Sequence, residues 1–150
     1  MVKKIGLVFL LLSLAAAGCL LLVPAVNDST AGEVLSALES CPLPPDTQLC
    51  GSVSAAGKLN GNGNGMQYFG AILLDSRLSL SELDAYYGQY RTDAWSYLVA
   101  PQDGARISMI EHQNISFDVQ MDDTGASHYF IVYTWGSSDF PLRELDFRGY

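Results

Sequence analysis

Two histidines and the carboxylates near them are the residues best suited to chemistry. Glu111 and His112 stand together, Asp118 follows them, and His128 begins an apolar run. Imidazole and carboxylate groups are common ligands of divalent metals. Against a joint site, adjacent side chains of a strand point to opposite faces, and the chain has no His-x-x-x-His spacing. A small ligand- or metal-binding module, or a hydrolase, that uses these residues is therefore the alternative function.

The glycine-rich stretch "LNGNGNGMQYFGAILLDS", residues 59–76, is the one segment that looks like a phosphate-binding motif. A phosphate loop needs a helix directly after its glycines, so that the first amides of the helix point at the anion. An apolar, strand-like run follows here instead. Asn-Gly steps favour the positive φ angles of tight hairpin turns, so this stretch predicts a β-hairpin that only turns the chain.

Residues 5–26 are uncharged and apolar, and Lys3 and Lys4 precede them. Roughly 20 apolar residues suffice to cross a bilayer, and the flanking lysines orient the N-terminus toward the cytoplasm. Three fates fit: an uncleaved signal anchor, a signal peptide cut after Ala25, or a lipoprotein lipidated at Cys19. All three predict an extracytoplasmic domain, and the first predicts a single-pass protein of the cell membrane.

Charge limits the choice of partners. The chain has sixteen acidic residues and a formal net charge of −8, and its basic residues beyond Lys3 and Lys4 are not clustered along the sequence. Such a surface repels phosphate backbones, which excludes nucleic acid as an expected partner. It also repels anionic lipid headgroups, so residues 5–26 are the only expected membrane contact.

Cys41 and Cys50 enclose the proline-rich loop "CPLPPDTQLC". In an exported chain a lone pair of cysteines predicts a disulfide. A zinc site is less favoured because neither histidine is near in sequence.

Periodicity and turn residues predict one α+β domain. A polar linker at 27–31 is followed by a short helix that begins at the capping box Thr30–Glu33, and then by a hairpin of strands 53–58 and 66–74. Ser79 caps a second helix over 80–90. The remaining expected strands are 95–99, 106–111, 115–121 and 128–135, with a turn at Asp122–Gly125 before the last of them. Short hairpins imply antiparallel pairing, so the fold class is a two-layer antiparallel sheet-plus-helix sandwich of a hairpin, a helix and a β-meander. The expected divisions are 1–26 (signal anchor or signal peptide), 27–48 (linker, short helix and proline-rich loop) and 49–150 (α+β domain).

The last predicted strand carries aromatic side chains on one face. Tyr129, Tyr133 and Trp135 alternate with residues that face the other way, and both faces are apolar. One helix covers only one face. Either the short helix or the C-terminal tail covers the other, or these aromatic residues form an exposed patch that binds a partner protein or a glycan.

The run "AAGKLNGNGNGMQYFGAILLDSRLSLSELDAYYGQY" followed by Trp95 resembles small exported or membrane-anchored α+β domains of Gram-positive bacteria, which are mostly uncharacterised. In these domains a strand ends in a polar residue, a helix carries a paired "YY", and a tryptophan opens the next strand. The resemblance implies the fold and the bacterial envelope, and it brings no activity, catalytic residue or cofactor.

Together these observations predict a non-catalytic, membrane-anchored extracytoplasmic domain that serves as an interaction module of the envelope. No cofactor and no catalytic residue are expected. The partner is expected to be an envelope protein or a glycan.

Overall fold

The computed structural model describes residues 2–61, 64–121, 128–146 and 148. In this part of the chain the elements are α1 (Val2–Glu39), β1 (Thr47–Gly57), β2 (Gln67–Ser76), α2 (Leu80–Gly88), β3 (Leu98–Pro101), β4 (Tyr129–Gly136) and a 3-10 helix at Arg143–Leu145. The predicted α+β class is confirmed.

The strands form one antiparallel sheet in the order β1-β2-β4-β3. β1 and β2 form the predicted hairpin pair, in register from Gly57 opposite Gln67 to Thr47 opposite Ser76, with one bulge between Leu49 and Gly51. β2 is central, and its residues 68–74 are all buried. A strand whose two faces are both covered has a continuous apolar sequence rather than an alternating one, which explains the sequence "YFGAILL".

Both helices cover the same face of the sheet, which we call the helix side. The helix-side core joins α1, α2 and the sheet through Leu38, Ile72, Leu74, Leu83, Tyr87, Phe130 and Val132. The predicted capping box at Ser79 is present: Glu82 N donates to Ser79 Oγ at 3.3 Å, and Ser79 N donates to Glu82 Oε2 at 2.8 Å. This reciprocal pair satisfies the amides at the start of α2.

Residues 105–121, which we call the covering segment, lie on the opposite face, the loop side. Their buried side chains are Ile107, Ile110, Ile115 and Phe117, which pack against Phe69, Ala71, Leu73 and Ile131. The strands predicted at 106–111 and 115–121 are reduced to one isolated bridge between Arg106 and Ser116. The covering segment lies across the face of the sheet instead of adding strands to its edge, so the domain has a third layer. The turn predicted at Asp122–Gly125 lies outside the described residues.

α1 runs unbroken through the predicted linker at 27–31. Among the described residues, no helix is long and apolar enough to cross a membrane. The predicted single-pass segment at 5–26, and the membrane localisation that followed from it, are therefore wrong. The end of that segment belongs to the domain instead, since Val23 is buried and the Pro24 carbonyl accepts a hydrogen bond from Arg148 Nη2 at 3.2 Å.

The predicted disulfide is also wrong, because Cys41 and Cys50 are free thiols. Cys41 lies just after the end of α1 and packs in the helix-side core. Cys50 lies at the bulge of β1 and packs against the loop-side core. The two sulfurs are thus on opposite faces of the sheet, whereas a disulfide requires adjacent Cβ atoms that point toward each other.

Candidate functional site

Glu111 and His112 lie against the loop between β1 and β2. Gly61 N donates to Glu111 Oε2 at 2.8 Å, and His112 Nε2 lies 3.3 Å from Gly61 O. The amides of both residues donate to the Leu59 carbonyl, at 3.0 and 3.1 Å. Both side chains therefore hold the loop in place.

His128 lies at the other end of the sheet, since its carbonyl accepts from Ser76 N, the last residue of β2, at 2.9 Å. Asp118 is exposed on the covering segment. The structure therefore does not bring Glu111, His112, Asp118 and His128 to one place. No group of metal-ligating side chains able to hold an ion occurs among the described residues, and Asp122 and Asp123 lie outside them.

The Asn-Gly loop is anchored rather than free. Gly61 has a φ of 74°, as the turn chemistry requires. Gln67 Oε1 accepts hydrogen bonds from Leu59 N at 3.0 Å and Asn60 N at 2.8 Å, and Leu59 itself is fully buried. A strand follows the glycines, so the loop lacks the helix N-terminus of a phosphate site. Gly63 lies outside the described residues.

Tyr129, Tyr133 and Trp135 of β4 lie on the loop side, where they are half-buried against the covering segment. The ring of Phe69 lies 4.8 Å from that of Trp135 and 6.0 Å from that of Tyr133, measured between centroids. Tyr129 belongs to the same cluster. Among the described residues, the covering segment is what packs over this face.

Neither Cys41 nor Cys50 offers an activated nucleophile. Burial raises the pKa of the Cys41 thiol, and burial also raises that of Cys50. A thiol with a raised pKa stays protonated at neutral pH and reacts slowly. Cys19, the lipidation candidate, lies within α1.

The two edges of the sheet differ sharply. β3 has four residues and ends at Pro101, a residue that cannot donate to a further strand. β1 has eleven residues, TQLCGSVSAAG, with no charge and no proline. Charges, prolines and short length are the usual means by which an edge strand avoids pairing with another chain. The β3 edge is therefore protected against pairing with another strand, whereas β1 has only a bulge.

A groove of about 330 Å³ runs along the open edge. Residues 53–56 of β1 form its floor. Asp28 and Arg148 line it on the helix side, and residues 113–116 of the covering segment line it on the loop side. Gln113 Nε2, in the loop-side wall, is buried without a hydrogen-bond partner in the described part of the chain.

A polar network that sequence reasoning missed holds the helix-side wall. Asn27 is fully buried in α1; its Nδ2 donates to Asp146 Oδ2 at 3.0 Å, and Tyr68 Oη donates to its Oδ1 at 2.8 Å. Arg148 bridges the buried Asp146, at 2.6 Å, and the exposed Asp28, at 2.8 Å. Hydrogen bonds from Arg148 and Asn27 outweigh the opposing effect of burial and lower the pKa of Asp146.

A periodic pattern in the sequence could have indicated that Asn27 is part of the core. The buried residues of α1 recur along one helical face that crosses the predicted linker without a break: Val23, Asn27, Ala31, Val34 and Leu38. The polar composition of 27–31 obscured that face.

No family model, no curated protein and no solved structure matches this chain.

Proposed function

We propose that this chain is a non-catalytic interaction domain that binds an extended segment of another protein at the open edge of β1. In this mode of recognition the incoming segment adds a strand to the sheet, and main-chain hydrogen bonds supply much of the affinity. The observation that carries the proposal is the uncharged, proline-free length of β1 beside the groove.

The contrast between the edges supports this choice. An exposed row of main-chain donors and acceptors is an aggregation hazard, and proteins usually protect it. Here β3 is protected by Pro101, whereas no strand in the described part of the chain pairs with the outer edge of β1. A β1 edge that stays available for pairing, beside a β3 edge that is protected, fits a binding site for a partner strand.

The groove supports it further. The helix-side and loop-side walls leave space above residues 53–56 for a chain that runs beside β1. Asn114 and Ser116, both exposed in the loop-side wall, carry amide and hydroxyl groups that can bond to the main chain of the incoming strand.

The test is a selection of peptides from a random displayed library on the folded protein, repeated with the Ser54→Lys variant. Ser54 is exposed in the middle of β1, and a lysine there interferes with edge pairing. We expect selected peptides to lose binding to Ser54→Lys and to keep it with Ser137→Lys, a matched change at an exposed serine outside the groove. Peptides that bind both variants equally, or a selection that yields none, would refute the proposal.

A further inference from the structure

We infer that the partner strand alternates basic and small apolar side chains. This inference rests on the proposed function, because it specifies what the β1 edge accepts. It follows from which residues line each wall of the groove.

The two faces of an added strand meet different surroundings. On the helix side β1 presents Ser52 and Ser54, which lie opposite Ile72 and Gly70 of β2. On the loop side it presents Val53 and Ala55, which pack with the loop-side core. Because side chains of a strand alternate between faces, every second side chain of the partner lies on the helix side beside α1.

The helix-side wall has an excess of negative charge. Arg148 is the one basic residue among the described residues that line the groove, and it is shared between the carboxylates of Asp146 and Asp28. Asp28 keeps 56% of its side chain exposed, so its oxygens can accept donors from a partner. A lysine or arginine on this face of the incoming strand meets two carboxylates that share one guanidinium, a group with one net negative charge.

The loop-side wall combines Ile115 with the polar residues Gln113, Asn114 and Ser116. Ile115 lies in the loop-side core and lines the groove beside Val53 and Ala55. An apolar side chain on that face can pack against these three residues, and the groove volume of about 330 Å³ favours small ones such as valine or alanine.

Charge on the whole chain disfavours a second copy as the occupant. Each copy carries a net charge of −8, so an edge-to-edge pair brings like charges together. Unlike charges, by contrast, accelerate association and select among partners.

The experiment titrates the full chain with three synthetic peptides, which alternate valine with lysine, with glutamate or with serine. Binding is measured by amide chemical-shift changes in β1. We expect the lysine peptide to bind about tenfold or more tightly than the glutamate peptide at low salt, and the difference to shrink as salt is added. In Asp28→Asn the preference should fall several-fold, whereas Asp84→Asn, a matched change at an exposed carboxylate of α2, should leave it unchanged.

The outcomes separate the two proposals. If all three peptides shift β1 amides with equal affinity, the charge preference is wrong and the edge-binding function stands. If only the serine or the glutamate peptide binds at β1, the inference is likewise wrong. If no peptide shifts β1 amides, the inference is wrong, and the library selection with Ser54→Lys then decides the proposed function by itself. A preference that survives in Asp28→Asn would overturn the assigned role of that carboxylate.

Discussion

Gly70 of β2 lies directly beneath the backbone of Leu35 in α1. A Cβ atom on Gly70 would stand 2.7 Å from the Leu35 nitrogen and 2.8 Å from its Cα. Gly136, on the neighbouring strand, is similarly close to the side chain of Val34. These two glycines let α1 approach the sheet closely, and this approach brings Asp28 to the groove.

Substitution of Gly70 by alanine should therefore force α1 away from the sheet. Overpacking of this kind costs about 1–3 kcal/mol, and chemical denaturation measures it. Gly32→Ala is the control, because a Cβ at Gly32 meets nothing within 4 Å and alanine is the better helix former by about 0.5–1 kcal/mol. A Gly70→Ala protein as stable as the Gly32→Ala protein would contradict the close approach.

Loss of Arg148 should destabilise the domain more than loss of its exposed partner. Arg148→Ala leaves the Asp146 carboxylate, 1% exposed, without its cation, which we expect to cost about 2 kcal/mol. Asp28→Ala breaks an exposed pair, worth less than about 1 kcal/mol. Equal destabilisation in urea melts would show that Asp146 does not depend on Arg148.

Lowering the pH should reduce the contribution of Asp146 to the stability of the domain. The pKa of Asp146 is lower in the folded protein than its ordinary value. Its contribution to stability is therefore complete above about pH 4, the unfolded value, and is lost as the pH falls through the folded pKa. The stability difference between wild type and Asp146→Asn should shrink below about pH 4. A difference that stays constant from neutral pH to pH 2 would contradict this role.

The two thiols should differ in reactivity. Cys50 is half-buried on the edge strand and Cys41 is buried in the helix-side core. We expect a thiol-reactive reagent, applied without reductant to the native protein, to label Cys50 faster than Cys41, and unfolding to equalise the rates. Peptide mapping after labelling measures both rates. Recovery of a peptide that joins the two cysteines would contradict the free thiols.

The elements that local chemistry determines were predictable. The capping box at Ser79, the pairing of β1 with β2, and the alternation of β4 all follow from nearby residues. The helix-like and strand-like patterns also sufficed for the α+β class.

The covering segment was not predictable, because its apolar residues resemble those of a strand. Ile115 and Phe117 have the spacing of one strand face, yet they pack flat on Phe69 and its neighbours. Only the position of the sheet decides between the two outcomes. The candidate site needed the same long-range information, since the groove joins residues 53–56 with Asp28 and Arg148 from the two ends of the described chain.

The most direct test of an open β1 edge is residue-resolved amide hydrogen exchange, with and without a saturating library-selected peptide. In an antiparallel pair successive amides point alternately toward the partner strand and away from it. In the free protein, amides of residues 53–56 that point to β2 should exchange slowly, and those that point outward should exchange fast. The peptide should slow the outward set while the inward set stays as it was. Outward amides that are already slow in the free protein, or that stay fast with the peptide bound, would contradict strand addition at β1.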